Sequence, residues 1–154
     1  MKDHGVNLNF IRDLNGLGYS GLSPEELIRT RDHGVNAEYI QTFIAAGYSR
    51  SSLDDWITLK DHGVSMTFVT GLKDLGYSRL ELEQLRTMKD HGVSPSFIRE
   101  LKTIGFTNVP VEQLIRLKDH GVSANYIQRL KERGYGDLSL DEYIRLKDRG
   151  TKDE

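Results

Sequence analysis

The chain has 154 residues, 21 of them basic and 23 acidic, for a formal charge of -2, and it contains no cysteine. The length fits one domain, the balanced charge leaves no electrostatic footprint for nucleic acid or an anionic membrane, and the lack of cysteine excludes disulfides, cysteine-ligated zinc and thiol nucleophiles. No apolar run approaches the roughly 18–20 residues that cross a bilayer, so membrane insertion is not expected, and a cytoplasmic setting is compatible.

The opening Met1-Lys2-Asp3-His4-Gly5 has no apolar core like that of a signal peptide and reads as the last turn of a helix. The next clear helix start is Ser23-Pro24-Glu25-Glu26: an N-cap, a proline at the first helical position and a glutamate placed for a capping box. Leu27 and Ile28 supply its apolar stripe and Gly34 ends it. Val35 serves both as the hydrophobic contact after that end and as the staple of the following helix, which makes the connection very short and favours antiparallel neighbours. Further on, Trp56 takes the stripe position held by Leu27, Leu85, Leu114 and Tyr143 elsewhere, and is read as core. Gly71 falls inside a helix, at a cost of about 1 kcal/mol relative to alanine. Ser94-Pro95 opens another helix, with Val93 placed to staple Ile98 and with Phe97, Ile98, Leu101 and Ile104 forming its stripe. Gly105 ends it in the left-handed conformation, and Phe106 folds back on the last turn. The chain closes on Arg149-Gly150 and the polar tail Thr151-Lys152-Asp153-Glu154. Neither end reads as a capping repeat, so the chain is expected to be a piece of a longer protein or array.

The five histidines His4, His33, His62, His91 and His120 are each 29 residues apart, Arg149 stands one step further, and a glycine follows every one of the six. Gly18, Gly47, Gly76, Gly105 and Gly134 form a second series with the same spacing. A fixed period without insertions marks a solenoid, because each unit must dock on its neighbours in one way. The expected fold is therefore all-α: an α-solenoid over 1–154 of about five 29-residue helix-turn-helix repeats, with about ten helices of roughly 9–12 residues.

Four recurrent features could carry chemistry. Histidines on neighbouring rungs of such a stack stand about 10 Å apart, too far to share a zinc ion whose ligands lie near 2 Å. They are read as structural, completing a helix end or touching the next repeat. Asp3, Asp32, Asp61, Asp90, Asp119 and Asp148 sit at helix C-termini, where negative charge is disfavoured, so each needs a partner: an inter-repeat ion pair, backbone amides, or a basic ligand or cation held by an acidic ladder. Lys2, Arg31, Lys60, Lys89, Lys118 and Lys147 could track a phosphate backbone, but they also complement the helix dipole and are neutralised by the aspartates beside them. Tyr19, Tyr48, Tyr77 and Tyr135 directly follow terminating glycines, which favours packing over a role as exposed stacking platforms.

No Gly-x-Ser-x-Gly, phosphate loop or His-Glu-x-x-His occurs. The acidic pairs Glu25-Glu26 and Asp54-Asp55 are accounted for by helix N-termini. No catalytic residue, cofactor or metal site is expected. Sequence differences between repeats gather at predicted solvent positions of the second helix of each pair: Glu38, Gln41 and Thr42; Thr67, Thr70 and Gly71; Ser96, Arg99 and Glu100; Asn125, Gln128 and Arg129. They form the candidate interaction face.

The phrase Lys-Asp-His-Gly-Val-Ser-x-x-Phe-Ile-x-x-Leu-Lys-x-x-Gly-Tyr, followed by Leu-Ser-x-Glu-Glu-Leu-Ile-Arg-Leu, resembles bacterial repeats found in the tails of BlaR/MecR-type membrane metallopeptidases. The resemblance covers residues 2–150. It implies a sensing or protein-contact role and no peptidase activity, since the zinc motif of those proteins is missing here. A weaker resemblance is to the DNA-reading two-helix repeats of TAL effectors, whose units are longer and present a variable loop to each base. The short, uniform Gly-Val-Ser/Asn connection does not suit that task. The expected function is a non-catalytic scaffold for a protein or peptide. Alternatives are a nucleic-acid-binding array, which the charge disfavours, and a spacer that is monomeric or associates end to end.

Overall fold

The computed structural model describes residues 5–150; Lys2, Asp3, His4 and the tail Thr151–Glu154, all assigned roles above, lie outside the described residues. The described residues form ten helices and no strand. They are α1 (Leu8–Gly16), α2 (Pro24–Asp32), α3 (Ala37–Ala45), α4 (Leu53–Asp61) and α5 (Met66–Asp74), then α6 (Leu82–Asp90), α7 (Pro95–Thr103), α8 (Val111–Asp119), α9 (Ala124–Glu132) and α10 (Leu140–Asp148). Each spans nine residues, the lower end of the expected range. No helix among the described residues is long and apolar enough to cross a membrane.

The helices are short because both ends are fixed. Seven serine or asparagine N-caps accept a hydrogen bond from the third residue of their helix: Asn7, Ser23, Asn36, Ser52, Ser65, Ser94 and Ser123. At Ser139 both arms of a capping box form: Glu142 N–H donates to Ser139 Oγ and Ser139 N–H to Glu142 Oε1, each at 3.2 Å. Pro110 opens α8 without a side-chain cap. At the other end, Gly34 N–H donates to Arg31 O (3.0 Å) and Val35 N–H to Thr30 O (3.1 Å), the paired bonds of a Schellman turn. Gly34 has φ +80° there, and the same pair of bonds recurs at Gly105-Phe106 with φ +98°. The linker after α2 thus runs over four residues, His33 to Asn36, rather than through one; Val35 is fully buried at its centre.

The chain divides into two compact units, Met1–Arg86 and Thr87–Glu154. In the first, α3 packs against both α1 and α5; in the second, α7 packs against α9 and α8 against α10. Helices one repeat apart are therefore neighbours, the stacking of a repeat solenoid. The core of the first unit is built from equivalent positions of successive repeats, as in Phe10, Tyr39 and Phe68 or Leu14, Phe43 and Leu72. Trp56 lies fully buried in it, as its stripe position predicts, and its ring meets Phe43 with centroids 5.0 Å apart. The second unit repeats the scheme with Phe97 and Tyr126, Leu101 and Leu130, and Leu114 and Tyr143.

Candidate interaction site

The repeated charged residues are occupied at the junctions between repeats. His33 Nδ1 lies 2.8 Å from Asp61 Oδ1, His91 Nδ1 2.6 Å from Asp119 Oδ1, and His120 Nδ1 2.8 Å from Asp148 Oδ1. Each histidine thus meets the aspartate of the following repeat, 28 positions on, and the aspartate that opposes its own helix dipole gains an imidazole partner. Of the partners considered for the aspartates, the inter-repeat ion pair is the one present in these three cases, and the pairs are half exposed. Such pairs contribute about 0–1 kcal/mol each and act mainly on register. His62, Asp32 and Asp90 are engaged in interactions as well. Among the described residues no group of three or more His, Asp or Glu side chains could hold a metal ion.

The lysine and arginine series has a more specific task than complementing the dipole. Four of these cations lie over an aromatic ring of the preceding repeat: Arg31 over Phe10 (5.5 Å), Lys60 over Tyr39 (5.1 Å), Lys118 over Phe97 (5.0 Å) and Lys147 over Tyr126 (4.7 Å). On the way, the lysine stems cross the junction glycines. A Cβ at Gly34 would come within 3.2 Å of Lys60 Cε, and one at Gly92 within 3.3 Å of Lys118 Cε. Tyr39 closes the same junction by donating its buried hydroxyl to Val64 O at 2.6 Å, and burial pushes its phenol well above the ordinary range. The Lys-Asp-His-Gly-Val phrase is therefore one joining device: a ring cover, an acceptor, a donor, a turn and a core residue.

The tyrosines after the second glycine series divide. Tyr48 is buried, as expected, and burial outweighs a backbone hydrogen bond at Leu80 to push its phenol upward. Tyr19 and Tyr77 are half-buried. Tyr135 is 45% exposed, contrary to the expected packed role. The Tyr19 hydroxyl donates to Ser51 O and accepts from Trp56 Nε1 (2.8 Å), 32 and 37 positions on. Sequence reasoning also missed a set of cross-repeat pairs between even-numbered helices. Arg29 bonds Asp54, and Arg116 Nη1 lies 2.6 Å from Asp141 Oδ1. Hydrogen bonds from the Gln113 amide and then from Arg116 hold the Asp141 carboxyl below its usual range. The recurring 25-residue offset is the only sequence signal for them.

The non-repeating positions are placed differently. In the first unit Glu38, Gln41, Thr67 and Thr70 are exposed and Thr42 and Gly71 are half-buried, on the adjacent helices α3 and α5. In the second unit Ser96, Arg99, Glu100, Asn125, Gln128 and Arg129 are all exposed, on the adjacent helices α7 and α9. Three of them make short-range side-chain bonds: Thr42 Oγ1 donates to Glu38 O (2.9 Å), Thr70 Oγ1 to Thr67 O (3.3 Å), and Gln128 Nε2 to Glu132 Oε1 (3.4 Å). Each unit thus presents a polar helical face whose chemistry changes from repeat to repeat. Set against family models, curated proteins and solved structures, the chain matches none of them.

Proposed function

We propose that the chain is a non-catalytic repeat scaffold that holds a protein or peptide on the exposed face of its odd-numbered helices, as part of a larger protein. The observation that carries this reading is the division of labour between positions. Recurring residues such as His33, Asp61 and Lys60 are taken up by contacts between repeats. Non-recurring polar residues such as Gln41, Thr70, Arg99 and Gln128 face solvent on rigid, capped helices. A regular frame with a variable face is how solenoids present a recognition surface. The resemblance of the Lys-Asp-His-Gly-Val repeats to those in BlaR/MecR-type tails accords with a contact role. The large apolar side chains exposed among the described residues are few and scattered (Leu8, Ile44 and Tyr135), so a polar partner surface fits better than an apolar one.

The test is comparative capture from a lysate of the source cells. The wild-type chain is set beside a variant with Gln41, Thr70, Arg99 and Gln128 changed to alanine, substitutions that helices tolerate. Proteins retained by the wild type and lost by the variant, at unchanged thermal stability, are the expected result. Equal retention by both chains would remove the face from consideration.

A further inference from the structure

We draw no further inference here: the strongest candidate, the cleft of about 270 Å³ between α1 and α3 of the first unit, lined by Asn9, Asp13, Arg31 and Glu38 among others, rests on an acidic pair beside a helix N-terminus, and nothing in the structure shows what covers it.

Discussion

At the scale of single residues, the junction between repeats depends on a few side chains with two duties. Tyr39 is the clearest: its ring lies under Lys60 and its hydroxyl donates to Val64 O. Removing the hydroxyl in Tyr39→Phe leaves the ring cover intact but strips that carbonyl of its partner, at an expected cost of about 1 kcal/mol near neutral pH. The same residue fixes an alkaline response. The unfolded chain releases a tyrosine proton near pH 10, whereas burial holds the folded Tyr39 phenol neutral well beyond that point. Below pH 10 both states keep the proton and pH has no effect through this group. Above about pH 10 the folded state binds more protons than the unfolded state, so stability falls as pH rises. Tyr48, shifted in the same direction, adds to the fall. Urea unfolding followed by circular dichroism should therefore show wild type losing more stability than Tyr39→Phe between pH 7 and about pH 10.5. A variant whose alkaline loss equals that of wild type would mean that the Tyr39 phenol ionises in the folded state.

At the scale of the helix, capping and turn chemistry are what the sequence states most openly. Gly71 is the exception within α5, a helix-interior glycine where the other repeats carry Asp13, Thr42, Glu100 and Arg129. Since four different side chains are accommodated at that register, Gly71→Ala is expected to raise stability by about 1 kcal/mol, read as a higher thermal midpoint. Lower stability would show that the half-buried site has no room for a methyl group. The other helix boundaries followed from local signals: Ser-Pro at Ser23 and Ser94, and a left-handed glycine at Gly34 and Gly105. These were legible because they act within four or five residues. The partner of each aspartate was not identified, because His33 and Asp61 lie 28 residues apart and come together only when helices stack. The exposure of Tyr135 is not legible either, because a left-handed glycine turns the next side chain back toward its helix without saying what covers it. The solvent-facing register of Gln41 or Gln128 could be read from helical period.

At the scale of the whole molecule, the same joining device operates inside each unit, and it bears on whether the chain could act on a polyanion. Binding along a phosphate backbone needs cations set out once per repeat and available to replace counterions. The chain has that series, but Arg31 and Lys60 in the first unit and Lys118 and Lys147 in the second lie over aromatic rings of the preceding repeat. An aspartate follows each of them in sequence. Swinging a lysine out to a phosphate would forfeit about 0.5–1 kcal/mol of cation–π attraction at an exposed site and would uncover the ring and the glycine beneath it. A repeat array spending that at every step gains little from each new contact. Titration of the chain against labelled single- and double-stranded DNA and RNA at about 50 and 200 mM salt is therefore expected to show weak association and a shallow salt dependence. Proteins making several phosphate contacts instead lose roughly 10³–10⁵ in affinity over the same range. Tight binding at the lower salt that collapses at the higher would show that the lysines leave their rings. In that case Lys60→Gln and Lys118→Gln should weaken nucleic-acid binding far more than they weaken the fold. The expected insensitivity would leave the lysines as joints between repeats and the non-recurring residues of the odd-numbered helices as the surface through which the chain meets its partner.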